Sequence, residues 1–170
     1  MFKVLTEGCE PIRATKHSAA IDLYASEDVT IPAGKTAMIG LGVCIDLDTP
    51  QLAEMKTLGT YNDFLQSHYL ALEPRSSLRA KGLVAGTGII DLDFKDELKL
   101  ILINPITDVQ GVREGTIDVT GSGENCFRYY IKKGDRIAQV MLLEHKSSLF
   151  NIGSDVERTG GFGSTNKESK

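Results

Sequence analysis

The sequence predicts an all-β domain. Three observations carry that expectation. The apolar runs are short and rich in Ile, Leu and Val, Gly, Pro and Asp bound them, and only one segment has helical periodicity. Residues 37–43 (AMIGLGV) follow the turn Pro32-Ala33-Gly34. Residues 98–103 (LKLILI) end on Asn104-Pro105. Residues 136–143 (RIAQVMLL) follow Lys132-Lys133-Gly134-Asp135. Many short strands of this kind build a sandwich, a jelly roll or a barrel, and 170 residues suit one domain.

Three segments depart from the pattern. At Thr49-Pro50 a capping residue precedes a proline at the first helical position. Leu52, Met55 and Leu58 then recur at helical spacing up to Gly59, and Tyr61, Phe64 and Leu65 continue the apolar theme, so residues 50–66 are expected to be helical. Residues 105–126 hold Gly111, Gly115, Gly121 and Gly123 around a strand candidate at 116–120, the pattern of a small β-hairpin lobe. From Gly153 the chain is polar and Gly-rich, and is expected to be a flexible arm.

Composition excludes several classes. Hydrophobic content is 41% and charged content 25%, which rules out a disordered chain. No apolar run approaches the ~20 residues of a membrane helix, and the first residues, MFKVLTE, lack a signal-peptide core. The net charge of −4 gives no bulk attraction for nucleic acid, so any anionic ligand must be held by local charges. Cys9, Cys44 and Cys126 are odd in number and far apart, which reads as reduced thiols in a cytoplasmic compartment. His17, His68 and His145 show no metal-ligand spacing.

Five segments carry chemistry. Residues 74–82 (PRSSLRAKG) combine three cations, two hydroxyls and a terminal glycine, the donors a polyanion needs. In residues 88–94 (GIIDLDF) an apolar strand runs into Asp91, where a carboxylate held still can take a proton from water. Asp93 is expected on the same strand face. In the tail, Arg158, Gly160, Gly161, Phe162, Gly163, Ser164 and Thr165 combine a charge, a pliable loop and hydroxyls with one aromatic ring suited to stacking on a base. Asp22 is the single acid in the apolar segment 18–25, suited to a hydrated Mg²⁺. The fifth segment is 134–140 (GDRIAQV).

In this order the five segments resemble the motifs of the homotrimeric dUTP pyrophosphatase (dUTPase) family, over nearly the whole chain. Residues 19–25 (AAIDLYA) are similar to its first motif and residues 74–82 match its second. Residues 88–96 resemble its third, 134–139 its fourth and 158–165 its fifth. Ala20 stands where the family has Gly, Phe94 where it has Tyr, and Asp96 where it has Gly. The resemblance implies a distorted jelly-roll β-barrel over residues 1–152. Insertions fall at about 50–67 (helical) and about 105–126 (a small β lobe), as in dUTPases of staphylococcal temperate phages. The arm is residues 153–170.

The resemblance also implies a function: Mg²⁺-dependent hydrolysis of dUTP to dUMP and pyrophosphate in the cytoplasm of a bacterial host cell, which limits uracil in DNA. Asp91 would activate the water that attacks the α-phosphorus, and Asp22 would hold a metal-bound water. Arg75, Ser76, Ser77 and Gln139 would grip the phosphates. Gly86, Gly88 and Ile90 would face the uracil edge, and Phe94 would pack under the deoxyribose. Arg158, Phe162, Gly163, Ser164 and Thr165 would close over the nucleotide. Implied partners are dUTP, two further copies of the chain and, as an added role, a repressor protein of a mobile genetic element; no nucleic acid or membrane is implied. Two rivals remain. One is a regulatory binding module that keeps the fold, although Asp91, Arg75, Gln139 and Arg158 are all retained. The other is a dCTP deaminase of the same fold, which needs a Glu where this chain has Ile101.

Overall fold

The computed structural model describes residues 1–105, 128–150 and 152. Those residues form ten strands and three helices. β1 (Phe2–Val4) pairs with β5 (Val43–Ile45), β3 (Val29–Ile31) with β9 (Tyr129–Ile131), and β4 (Thr36–Gly40) with β8 (Lys99–Ile103). A four-stranded sheet runs β2 (Ile21–Tyr24), β10 (Arg136–Glu144), β6 (His68–Pro74), β7 (Gly88–Asp91). All these ladders are antiparallel. They enclose one core in which Leu23, Ile31, Ile39, Leu41, Leu98 and Leu102 lose all contact with solvent. This is the all-β, jelly-roll-like architecture that the short apolar runs predict.

The run at residues 37–43 does not form one strand. It divides at Leu41-Gly42 into the end of β4 and the start of β5. Gly42 has φ +65°, and its N–H donates to Glu97 Oε1 (2.7 Å), which also accepts from Ser26 Oγ (3.2 Å). A Cβ on Gly42 would lie 2.7 Å from both Cβ and Sγ of the buried Cys9. The turn therefore needs both the left-handed backbone and the missing side chain.

The helical expectation at 50–66 resolves into two helices, α1 (Pro50–Leu58) and α2 (Tyr61–Ser67). Gly59, at φ 73°, ends α1. Its N–H donates to Lys56 O (3.3 Å) and that of Thr60 to Met55 O (3.0 Å), a paired closure typical of glycine-terminated helices. Thr49 precedes Pro50 with extended backbone, but its hydroxyl makes no capping bond. Of the three periodic residues of α1 only Leu52 is buried, and Leu58 is 68% exposed. Phe64 and Leu65 of α2 pack against the core instead. The third helix, α3 (Ser76–Ala80), lies inside the basic segment. It is pinned by buried Leu78 and closed at Gly82, φ 85°, whose N–H donates to Arg79 O (2.9 Å). The hairpin lobe expected at 105–126 falls almost wholly outside the described residues, as does the arm at 153–170.

Two outcomes follow from the packing around Gly42. Gly42→Ala should lower stability by about 1–3 kcal/mol, from the left-handed backbone and the contact with Cys9, measured by urea or thermal unfolding. Burial pushes the Cys9 thiol up from its ordinary value. At pH 8, iodoacetamide should therefore label Cys9 at least about tenfold more slowly in the native protein than in the unfolded chain, read by peptide mass mapping.

Candidate active site

Successive side chains of a strand point to opposite faces, and directly opposed residues share a face. In the four-stranded sheet Leu23, Ala138, Val140, Leu70 and Leu72 face the core. The alternate positions point outward. Asp22 opposes Gln139 and Gln139 opposes Glu73, giving one polar row across β2, β10 and β6. Met141, Ala71 and Ile89 form a parallel apolar row on that face. Leu143, Tyr69 and Asp91 form a third row beyond it.

Asp22 is buried, with a side chain only 9% exposed, yet it is not alone. Oδ1 lies 3.5 Å from Arg75 Nε, and Oδ2 accepts from Arg136 Nη1 at 3.3 Å. The backbone N–H of Arg75 donates to Ile137 O (2.9 Å), which ties the start of α3 to β10. Ser76 and Ser77 are exposed in the first turn of α3. Beside them a cleft of about 260 Å³ is lined by Arg75, Ser77, Lys81, Tyr129 and Arg136, among others. The Lys81 ammonium sits 5.4 Å from the centre of the Tyr129 ring, close enough for a cation–π attraction. This corner presents cations and hydroxyls to a small volume, which suits a chain of phosphates.

Glu73, at the other end of the polar row, accepts hydrogen bonds from Arg79 and from the Thr87 hydroxyl. It thereby joins α3 to the segment leading into β7. Sequence reading did not single out Glu73 or assign Arg136 a part. Both become visible only through the register that sets them beside Gln139 and Asp22.

Asp91 is the exposed last residue of β7. Among the described residues β7 pairs with β6 alone, which makes it an edge strand of this sheet. Ile89 on this edge is 74% exposed. Gly88 and Ile90 alternate with these two, and a Cβ on Gly88 would come within 3.3 Å of Leu72 Cβ. Gly86 is exposed just upstream. The expectation that Asp93 shares a strand face with Asp91 is not met. The strand ends at Asp91, where the Phe94 N–H donates to Asp91 O (3.1 Å) and turns the chain, burying Leu92. Phe94 is buried too and belongs to the core cluster.

The sheet does not bring Asp91 to the corner of its own chain where Asp22 meets Arg75 and Arg136. Asp91 opposes Tyr69, and Arg75 lies six residues further along the same stretch. At ~3.3 Å per residue that is a gap of ~20 Å. Asp22, Arg75 and Gln139 gather at one end of the face, and Asp91 stands at the other. Arg158, Phe162, Gly163, Ser164 and Thr165 lie outside the described residues.

Two histidines that look scattered in sequence meet at the Asp91 end. His68 opposes Glu144 on β10, and the His145 ring lies 5.9 Å from that of Tyr69. A hydrogen bond from Lys146 is the main reason that the Glu144 carboxyl is held below its ordinary range. Among the described residues no three His, Cys, Asp or Glu side chains converge as metal ligands. Both oxygens of Asp22 already meet guanidinium groups, so this donor set suits a cation that arrives with its own oxygen ligands and retains water.

A family model described as dUTPase matches residues 63–116. The deoxyuridine 5′-triphosphate nucleotidohydrolase of Yarrowia lipolytica is 30% identical over 169 residues, covering 94% of this chain and 85% of its own length. The enzyme of the same name from Clostridioides difficile is 33% identical over 166 residues, covering 91% and 88%. Among solved structures, the dUTPase of Staphylococcus bacteriophage 80alpha superposes with a TM-score of 0.66 at 22% identity, over 93% of this chain and 96% of that one.

Proposed function

The chain belongs to the dUTPase family, and from that premise we propose how it hydrolyses dUTP to dUMP and pyrophosphate. The ~20 Å between Asp91 and Arg75 carries the reading. A base must stand within hydrogen-bond reach of the water it activates. One chain therefore cannot supply both that base and the grip on the phosphates beside the same phosphorus. A second copy supplies the other half; the family resemblance points to a homotrimer, whose closed symmetry would repeat such a shared site at each interface. An apolar strip supports such a contact. Met38 opposes Ile101, Ile103 follows two positions on, and Val84 bridges to Ile103, all partly or well exposed. Ile101 also holds the position where a deaminase of this fold would need its glutamate.

Asp91 orients a water in line with the α-phosphorus and takes its proton. The new bond forms from that water oxygen to phosphorus, and the bond to the oxygen bridging to the β-phosphate breaks. Pyrophosphate leaves and the proton passes to solvent. Arg75, Ser76, Ser77 and Gln139 hold the phosphates by charge-assisted and hydroxyl hydrogen bonds. The edge of β7 and its approach, Gly86, Gly88 and Ile90, present backbone donors and acceptors to the uracil. Cytosine would leave such groups unpaired, at ~1–3 kcal/mol each. The Phe94 ring, held in the core cluster, would back the wall against which the deoxyribose rests. Arg158, Phe162, Gly163, Ser164 and Thr165 of the arm close over the nucleotide. Asp22 would hold Mg²⁺ through a water, and the ion, when bound, would offset the negative charge of the triphosphate.

A second role rests on the likeness of fold to the phage 80alpha enzyme, one of the phage dUTPases described as controlling transfer of virulence genes. Residues 50–67 and 105–126 would then carry contacts to a repressor protein beside an intact hydrolytic site. Capture of a purified repressor by the full chain, lost when residues 105–126 are removed, supports this role; equal capture by both removes that segment from it.

Asp91→Asn should lower kcat by about 10²–10⁴-fold while a non-hydrolysable dUTP analogue still binds. Arg75→Ala should also be inactive. Co-refolding the two inactive variants in equal amounts should restore about a quarter of wild-type activity, because random trimers then contain sites intact in both halves. No recovery, or a monomer in light scattering, refutes the shared site. Deleting residues 158–170 should leave the trimer and its unfolding midpoint unchanged while nearly abolishing turnover. Full activity in that truncation removes the arm from the mechanism.

A further inference from the structure

We propose that Glu73 is a positioning residue for base selection, which holds the segment leading into β7 in place through the hydroxyl of Thr87. The proposal rests on the reading above in one respect, that uracil lies against Gly86, Gly88 and Ile90. Two anchors bound that segment. Val84 exchanges backbone hydrogen bonds with Ile103, donating at 3.0 Å and accepting at 2.8 Å, and Gly88 pairs with Leu72. Ala85, Gly86 and Thr87 cross between the anchors outside any strand, and Gly86 and Thr87 are exposed. Glu73 meets this stretch from the neighbouring strand. Its Oε1 accepts from the Thr87 hydroxyl and its Oε2 from Arg79 Nη2. The carboxylate is the better-held partner, with its side chain 16% exposed against 55% for Arg79. It stands on β6, which β10 and β7 flank, opposite Gln139.

Each donor has its own part. Arg79 balances the charge of the carboxylate, and Thr87 transmits its position. A hydroxyl that donates to a carboxylate makes a charge-assisted bond, stronger than one between neutral groups. With Thr87 held, the backbone N–H and C=O groups on either side of it keep a fixed spacing. Base selection needs that spacing. Uracil and cytosine have the same outline and differ in which atoms donate, so a wall that yields can satisfy either. Removal of Glu73 then separates three accounts. If only its charge matters, dUTP and dCTP are affected alike, since both carry the same triphosphate. If it matters only to folding, the amount of active enzyme falls and the preference between the two nucleotides stays. If it positions the wall, the preference itself falls.

The test is steady-state kinetics of the full-length protein with Mg²⁺, following pyrophosphate release from dUTP and from dCTP, with assembly checked by light scattering. Thr87→Val removes the hydroxyl at an exposed position with little change of shape. It should raise KM for dUTP about tenfold, leave kcat within about threefold, and lower the preference for dUTP over dCTP about tenfold. Thr87→Ser, which keeps the hydroxyl, should retain the wild-type preference. Glu73→Ala should match Thr87→Val in preference and add nothing to it in the double variant, because its influence passes through Thr87. An unchanged preference in Thr87→Val overturns the proposal, and so does a further loss in the double variant. Gly86→Val tests the reading beneath it. A Cβ at Gly86 meets nothing within 4 Å and its backbone is not left-handed, so a side chain there intrudes only on what lies against the wall. Wild-type kinetics in Gly86→Val sink the placement of uracil. Loss of dUTP turnover in Gly86→Val, beside a wild-type preference in Thr87→Val and Glu73→Ala, overturns the role of Glu73 alone.

Discussion

A strand can bury only every second side chain, and this constraint organises the whole site. The four-stranded sheet turns Leu23, Leu70, Leu72, Ala138 and Val140 into the core. The residues between them have no choice of face. Asp22, Gln139, Glu73 and Asp91 are therefore carried together to the outer surface, whatever else they do. A slip of one residue in any ladder would bury a carboxylate in the core and expose its apolar neighbours. The free energy of core packing thus holds this polar face in register.

The same sheet separates what it selects. Asp91 ends β7, which among the described residues is an edge strand of the sheet. The arginine corner lies ~20 Å away, where β2, β10 and the start of α3 converge. On the proposed mechanism an enzyme that needs both must assemble, so catalysis and oligomerisation would be one property. The exposed strip of Met38, Val84, Ile101 and Ile103 costs hydrophobic free energy in a lone chain and favours that assembly.

The trio of Arg75, Asp22 and Arg136 shows why a buried carboxylate is retained. Burying charge is costly, and an ion pair often contributes little net stability against an apolar replacement. Its value here is geometric. A guanidinium anchored through one nitrogen has lost much of its freedom, so less ordering would be needed to bind an anion. Glu73 has a comparable part at the opposite end of the row, where Arg79 and Thr87 tie α3 to the approach of β7.

Much was legible in the residues themselves. The strands at Lys99–Ile103 and Arg136–Glu144, the helical break after Pro50 and its stop at Gly59 all follow from local periodicity and backbone chemistry. The five motifs, in order, name the family and the reaction. The division of residues 37–43 at Gly42 was not legible, because it depends on Glu97 and Cys9, distant in sequence. Nor was the five-residue helix α3, too short for periodicity to reveal. The sequence by itself determined which chemical groups the protein owns and which local elements carry them, since propensity and turn preference act over a few residues. The tertiary structure alone decided that Asp22 holds two arginines, that Glu73 stands beside Gln139 and that Asp91 lies far from both. Those relations are set by pairing between strands remote along the chain, through the burial of side chains that no single segment contains.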